Sequence, residues 1–390
     1  MTTSTEKKPR IAIHNLQSLP NLATFKIHNY VLDLIKKGHV EYLYFDEVGR
    51  LKDIRQKLAA LNSIRKKYSW TELGLNKVKF LFTERALNKH VDILLNFNST
   101  HSTQFTPAIK RFKGIKIFHL MDYFWYEPGS VKYERLQEYG VDYLMSYSSS
   151  DKHCPYFKKT FPNYLGKVIA VPFGYTDRFV STIPFGKREN KCVALGSVNP
   201  FRPADANPSN YLETADFYSR EKFLHKFRRM IVENLDTLKD QVDSMLPVFP
   251  KYKDFKYDIV QKFNDYKMFT CDETMFYFPT AKTYEGVASG CVMVCSDHSC
   301  FKEFGFMDGV NCITHRQFDI AHLKERIAEY QNKPKELEAI HRRGLEFVRN
   351  RLSHKAVADR LSEIYTSIFN DCQKTGIRID ISSYSFLQKV

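Results

Sequence analysis

The feature that most constrains the fold is an alternation of short apolar segments with amphipathic ones along the chain. Residues 10–16 have the pattern of a first strand, residues 22–37 that of an amphipathic helix ending at Gly38, and residues 40–45 that of a second strand. Strands that alternate with helices favour a parallel sheet, because a crossover helix is the usual connection between parallel neighbours. The sequence therefore predicts an α/β protein with doubly wound sheets.

The alternation falls into two series. Residues 172–186 contain two prolines and two glycines, which suit a linker, and a second series opens at residues 191–195. Near the end, residues 353–369 are predicted to form an amphipathic helix with Ser353 as its N-cap. A chain of 390 residues with 43% hydrophobic content can bury more than one core. We expect three parts, residues 1–180, residues 190–355 and residues 356–390.

Charge and composition indicate the kinds of partner. The chain has 59 Lys and Arg against 44 Asp and Glu, a net charge of +15, which favours sugar nucleotides, phosphorylated or lipid-linked acceptors, a membrane surface or nucleic acid. No apolar run approaches the roughly 18 residues that cross a bilayer, and the first ten residues are polar. We therefore expect a cytoplasmic protein. Its basic clusters are typical of solvated helix faces, and peripheral contact with anionic lipid through these clusters and aromatic side chains is the alternative. The eight cysteines lack a framework spacing and are expected to be free thiols.

The stretch 280–311 combines a charged helix start, a buried strand and a polar loop. Lys282 and Glu285 lie in a short helical turn that Gly290 ends, and residues 291–295 are apolar without alternation, as in a strand covered on both faces. A helix start offers free N–H groups and positive dipole character, so it suits a diphosphate, and Lys282 would add a charge. Glu285 would accept two hydrogen bonds from a ribose diol. In open α/β sheets, ligands bind at the carboxyl ends of the strands, where the loop after residues 291–295 would lie.

This stretch resembles a known family over about residues 265–365. The order Lys282, Glu285, Ala288, Gly290, apolar strand, Asp297, Glu303, Asp308-Gly309, Asn311 is similar to the C-terminal domain of GT-B glycosyltransferases, in particular the family 4 (group 1) type and its spore-protein-like relatives. The resemblance implies two Rossmann-like domains facing a cleft, with the acceptor in the first and the nucleotide sugar in the second. It also implies that residues 356–390 cross back to the first domain. Glu285 would hold the donor ribose, whereas Tyr277 stands where the family usually has a second glutamate.

Two further segments extend the predicted site. Ser197, Asn199 and Arg202 follow the first strand of the second half, where the resemblance implies a phosphate-facing loop and ordinary turn chemistry is the alternative. His119 and Asp122 follow an apolar strand of the first half, at the position of the catalytic His or Asp of the family; a histidine hydrogen-bonded at a sheet edge is the alternative. The predicted nucleotide-sugar-binding residues are Glu285, Lys282, Thr283, Gly286, Arg202, Ser197, Asn199 and Tyr277, and the predicted catalytic residues are His119 and Asp122.

The sequence predicts neither a metal ion nor a cofactor. It has no Asp-x-Asp triplet, so basic side chains and helix amides would have to neutralise a leaving diphosphate. The spacing of Cys291, Cys295, His298 and Cys300 can be written as a zinc site, but structural zinc usually takes ligands from two separated pairs. The chain lacks G-x-G-x-x-G, a Walker lysine loop and a G-x-S-x-G elbow, which excludes the usual dehydrogenases, nucleoside triphosphatases and hydrolases.

These observations predict a metal-independent glycosyltransferase that moves a hexose-type sugar from a nucleotide diphosphate to a hydroxyl of a glycan or glycolipid. The family 4 resemblance favours retention of configuration. A sugar-nucleotide epimerase of the same architecture is one alternative, and it would isomerise a UDP-sugar without an acceptor. A non-enzymatic basic protein that binds nucleic acid or a membrane is another, and its binding would fall steeply with salt. Among the anionic partners that the net charge favours, nucleic acid is the least expected.

Overall fold

The computed structural model divides into two compact units. It describes residues 7–14, 29–44, 62, 69, 71–97, 106–120, 129–196, 198, 225–246 and 257–387. The first unit comprises Met1–Asp151, Phe157–Val171 and Val357–Gln388, and the second comprises Lys152–Tyr156, Pro172–Ala356 and Lys389–Val390. Each unit is built on its own parallel sheet.

The first unit has a seven-stranded sheet in the order β3-β2-β1-β4-β5-β6-β7. Its strands are β1 Ile11–His14, β2 Tyr42–Tyr44, β3 Lys79–Leu81, β4 Ile93–Asn96, β5 Ile115–His119, β6 Tyr143–Ser146 and β7 Val168–Ala170. All pairs are parallel, and in β1 Ile13 lies opposite Leu43 on one side and Leu95 on the other. The order of the first six strands, 3-2-1-4-5-6, is that of the Rossmann fold.

Short helices connect these strands. They are α1 Asn29–Lys36, α2 Glu84–His90, α3 Pro107–Arg111, α4 Gly129–Glu138, α5 Ser150–His153 and α6 Pro155–Thr160. Helix α2 begins at Glu84 because the Thr83 hydroxyl accepts a hydrogen bond from the Ala86 amide and so caps the first turn. Every residue of β1 and β4 is buried, as expected for strands covered on both faces of a parallel sheet.

The second unit has a five-stranded parallel sheet in the order β12-β11-β10-β8-β9. Its strands are β8 Glu189–Leu195, β9 Val242–Met245, β10 Tyr266–Cys271, β11 Val292–Ser296 and β12 Ile313–His315. Its helices are α7 Lys226–Glu233, α8 Leu235–Leu238, α9 Ile259–Asp265, α10 Ala281–Ala288, α11 Ser299–Glu303, α12 Ile320–Gln331 and α13 Pro334–Arg351. Counted within the unit, the strand order is 2-1-3-4-5, the other common doubly wound order. The prediction of two Rossmann-like α/β domains is confirmed.

A last helix, α14 His354–Thr375, lies mostly in the first unit. Ser353 caps it by accepting a hydrogen bond from the Ala356 amide at 3.2 Å, as predicted. The Tyr365 hydroxyl lies 2.9 Å from the Met145 sulfur, and the Tyr143 hydroxyl lies 3.3 Å from the Cys372 sulfur. Met145 and Tyr143 both belong to β6, so α14 packs against that strand.

All eight cysteines are free and buried. Among the described helices, none combines the length and the apolar composition that a membrane span requires.

Gly286 allows α10 to pack directly on β10. A Cβ atom at this position would lie 2.5 Å from Cζ of Phe269, too close for any side chain without movement. We expect Gly286→Ala to lower the free energy of unfolding by roughly 1–3 kcal/mol, because overpacking outweighs the better helix propensity of Ala. Urea denaturation would measure this loss. An unchanged or higher midpoint would show that the Phe269 ring moves aside at little cost.

Candidate functional site

The carboxyl ends of the strands in the second unit bring several polar groups together. Gly196 follows β8, Asp272 and Glu273 follow β10, and β11 ends at Ser296. Helix α10, which begins at Ala281, is the next helix after β10. Because all five strands are parallel, these ends share one edge of the sheet, which is where open α/β sheets bind ligands.

Two cationic side chains converge on the turn at Gly196. This residue has a φ of 117°, and a Cβ atom there would lie 2.7 Å from Nη1 of Arg228 and 3.2 Å from Cε of Lys282. Arg228 comes from α7 and Lys282 from the first turn of α10. Burial and the nearby charge of Arg228 lower the pKa of Lys282. Two like charges held this close favour an anion between or beside them.

The carboxylate of Asp272 holds the Arg228 guanidinium. Nε of Arg228 donates to Oδ1 of Asp272 at 3.2 Å, and Nδ1 of His225 lies 3.7 Å from Oδ2. Only 5% of Arg228 and 3% of Asp272 are exposed. Burial alone would raise the pKa of Asp272, but the charge of Arg228 and the contact with His225 lower it below its ordinary value. The ionised carboxylate therefore fixes the guanidinium behind the turn at Gly196.

Glu285 lies one turn along α10 from Lys282, on the same face of the helix. Its side chain is partly buried, and within the described ranges its carboxylate makes no hydrogen bond. Burial raises the pKa of Glu285, against the opposing charges of Lys282 and Arg178. A partly buried carboxylate near Lys282, one turn into a helix, can accept hydrogen bonds from the hydroxyls of a phosphorylated ligand.

Thr283 and Gly286 face the interior of the second unit. Thr283 is fully buried, and its hydroxyl lies 3.0 Å from the sulfur of Cys271 at the end of β10. Gly286 is buried against Phe269. These contacts give both residues a role in packing α10 onto the sheet, and their predicted contacts with a nucleotide sugar remain predictions.

Tyr277 has an unusual backbone conformation before α10. Its φ is 57°, which is rare for a residue with a side chain, and its ring stacks on His298 with centroids 5.0 Å apart and planes at 20°. The role predicted for Tyr277 toward a nucleotide sugar stays a prediction.

Glu273, which follows β10, is buried and accepts hydrogen bonds from the side chains of Ser296 and Gln317. Burial raises the pKa of Glu273.

His119 ends β5 in the first unit. Only 6% of it is exposed, and its ring lies against Phe97 and Tyr147 with centroids 5.9 Å and 5.1 Å away. Burial lowers the pKa of His119 to about 3, so the imidazole is neutral at physiological pH and less basic than its sequence position suggested. Its catalytic role stays a prediction. The other predicted residues Asp122, Ser197, Asn199 and Arg202 lie outside the described residues.

The sequence reasoning missed the part of the site that lies behind Gly196. Arg228 belongs to an Arg-Arg pair that is typical of a solvated helix face, yet Arg228 is buried while Arg229 pairs with Glu233. One signal was available, since Arg228 is three residues before Ile231, which is fully buried on the apolar face of α7. In the described part of the chain, no group of three or more His, Cys, Asp or Glu side chains could hold a metal ion.

The carboxyl edge of this doubly wound sheet brings two cations together near the start of α10, an arrangement that suits a phosphorylated ligand. Residues 220–363 match the sequence profile of a family described as "Glycosyl transferase-like". The match covers α7 and α10, and it confirms the predicted resemblance to glycosyltransferases and the predicted class of enzyme. Among curated proteins, none matches this chain.

Several solved structures have a similar fold. Anabaena HepE in complex with UDP and glucose is 11% identical with a TM-score of 0.48, over 92% of this chain and 100% of that one. A glycosyltransferase from Rickettsia africae is 10% identical with a TM-score of 0.46, over 93% and 99%. Sucrose-phosphate synthase from Thermosynechococcus elongatus is 12% identical with a TM-score of 0.45, over 93% and 100%.

Proposed function

We propose that this glycosyltransferase takes its sugar from a nucleoside diphosphate and transfers it to a hydroxyl acceptor without a metal ion. The observation that carries the proposal is the convergence of Arg228 and Lys282 on Gly196, with Glu285 one turn along the same helix. The first amides of an α-helix have no intrahelical partner, so α10 adds N–H donors at the same place. We assign the diphosphate to Lys282, Arg228 and this helix start, and the ribose to Glu285.

The charges of the site suit the departure of a nucleoside diphosphate. Negative charge develops on the diphosphate as the bond to the sugar breaks, and fixed cations and helix amides stabilise that charge without reorganising. Asp272 holds Arg228 in place before the ligand arrives. This is the chemistry that a divalent ion would otherwise supply.

On the acceptor side, we propose His119 and Asp122, and we propose that the sugar keeps its configuration. A general base works best when its pKa is near the working pH, and the pKa of His119 is about 3. We therefore assign His119 a hydrogen bond to the acceptor or the sugar and not the role of proton acceptor. The net charge of +15 supports a phosphorylated or lipid-linked acceptor, with peripheral contact to an anionic membrane.

A thermal-shift series over UDP, GDP, ADP, CDP and dTDP tests the donor assignment. We expect one or two of these diphosphates to raise the unfolding temperature by roughly 5–10 °C at a concentration near 100 Kd, which corresponds to about 2.7 kcal/mol of linkage. The matching monophosphate should give a smaller shift, because it offers one phosphate fewer to Lys282 and Arg228. If millimolar concentrations of every diphosphate leave the unfolding temperature unchanged, the proposal is wrong.

A further inference from the structure

Beside the cation pair lies a group of three ionisable side chains, the buried Arg228 and Asp272 and the partly buried His225. Asp272 is shared, since Oδ1 accepts from Nε of Arg228 at 3.2 Å while Oδ2 faces Nδ1 of His225 at 3.7 Å. Neither Oδ2 of Asp272 nor Nδ1 of His225 has a hydrogen-bond partner in the described part of the chain. A buried carboxylate oxygen whose contact is as long as 3.7 Å gains from a shorter one, so this arrangement is poised to accept a proton-bearing nitrogen.

The charges around His225 explain why it is neutral in the free protein. Burial and then the charge of Arg228 lower the pKa of His225 to about 4, with a further contribution from Lys282. Asp272 acts in the opposite direction. Among the described residues, Cys271 and Glu273 are further titratable groups beside Asp272, and both are buried. The cations that disfavour a proton on His225 are the two that converge on the turn at Gly196.

We propose that Asp272 is a positioning residue that directs Arg228 at the diphosphate, and that His225 takes up one proton when a sugar nucleotide binds. The inference rests on the proposed function, because it takes the diphosphate to lie at Lys282 and Arg228. A bound diphosphate offsets the positive charge that repels a proton from His225. It also shares the charge of Arg228, so that Oδ2 of Asp272 can pair with an imidazolium while Oδ1 still accepts from Arg228. The proton comes from solvent, enters the imidazole and returns to solvent when the nucleotide leaves.

Isothermal titration calorimetry measures this proton directly. UDP-glucose and GDP-mannose would each be titrated at pH 6.5 in buffers with different ionisation enthalpies, since the slope of observed enthalpy against buffer enthalpy counts the protons bound. Both ligands are diphosphate diesters without a titrating phosphate near neutrality, so an absorbed proton must reside on the protein. We expect uptake of about half a proton or more per nucleotide, declining toward zero by about pH 9, with Kd rising as pH rises.

Two variants separate His225 from other histidines. His225→Gln should abolish the uptake and flatten the dependence of Kd on pH. His354→Gln is the matched control, because His354 is also buried in the second unit with its pKa lowered to about 4 by burial, yet its ring bonds to the Phe173 carbonyl at 3.0 Å. This control should retain the uptake of the parent. Equal uptake by the parent and His225→Gln would overturn the assignment of the proton.

Asp272→Asn tests the positioning role through the sign of its effect. Removing a negative charge beside an anion site should tighten binding because it relieves Coulomb repulsion, whereas loss of orientation at Arg228 should weaken binding by about tenfold or more. We expect weakening, and tighter binding would overturn the positioning role. Should this variant fail to fold, the His225→Gln titration still decides the inference. Binding of either sugar nucleotide without proton uptake would overturn the inference alone, whereas absence of binding by these two ligands and by every diphosphate of the thermal-shift series would overturn the proposed function with it.

Discussion

Glu285→Ala should bind nucleoside diphosphates at least a hundredfold more weakly than the parent and lose turnover in proportion. The carboxylate is partly buried beside Lys282, and in the proposed complex it accepts hydrogen bonds from both ribose hydroxyls. Hydrogen bonds to a charged group contribute about 1.5–3 kcal/mol each, so two of them account for a loss of this size. Calorimetry with UDP or the diphosphate preferred in the thermal-shift series would measure it.

The ribose assignment has a sharper test in the 2′-deoxy analogue of the same diphosphate. The parent should discriminate against the analogue by about tenfold or more, because one hydrogen bond to Glu285 is missing. Glu285→Ala should bind both ligands equally. Glu346→Gln, a change at an exposed glutamate of α13, is the control and should behave like the parent. Discrimination that survives in Glu285→Ala would show that another group reads the ribose.

Glu285→Ala should keep or increase the free energy of unfolding at neutral pH. Burial raises the pKa of Glu285 in the folded protein, so the folded state binds its proton more tightly than the unfolded state does. Stability from that proton is present below the unfolded pKa and is lost as pH rises through the folded pKa. At pH 7 the ionised carboxylate is therefore a cost of folding, and removing it relieves that cost. A fall in the urea midpoint at pH 7 would contradict this sign.

Lys282→Met should weaken binding of nucleoside diphosphates by roughly 10- to 150-fold, the range expected for losing a hydrogen bond from a charged group. The monophosphate should lose less, so the ratio of the two affinities reports which phosphate Lys282 contacts. The variant should also show a weaker dependence of Kd on salt, because one cation is missing from the site. Titrations of both nucleotides at two salt concentrations would provide these values.

Lys335→Met is the matched control, since Lys335 is exposed on α13. It has the same change in charge and side-chain chemistry and should bind like the parent. If both lysine variants lost affinity equally, general attraction by the net charge of +15 would explain binding, and the assignment of Lys282 would be wrong.

Much of the fold follows from local patterns. Residues 291–295 were apolar without alternation and β11 is Val292–Ser296, buried throughout, because a strand covered on both faces has no polar side. Ser353 caps α14 as its sequence indicates. Strand order cannot be read in this way, since it depends on contacts between segments distant in sequence. The two units differ in order although both consist of alternating strands and helices.

The site was predictable only where its residues are close in sequence. Lys282 and Glu285 could be placed on one helix face by their spacing of three, and both lie at the start of α10. Arg228 was missed because its contact with Asp272 joins residues 44 positions apart. The pKa of His119 could not be foreseen either, since it is lowered by burial against Phe97 and Tyr147, which come from other segments.

The return of α14 to the first unit has a consequence for synthesis on the ribosome. Strands β1 to β6 of that unit are translated before the second unit, but the segment Val357–Gln388, which packs on β6 through Tyr365 and Cys372, is translated after residues 172–356 of the second unit. Domains usually fold as units in the order in which they emerge. Here residues 172–356 of the second unit emerge before the first unit is complete, so the nascent chain holds apolar surface of β6 uncovered until α14 leaves the exit tunnel.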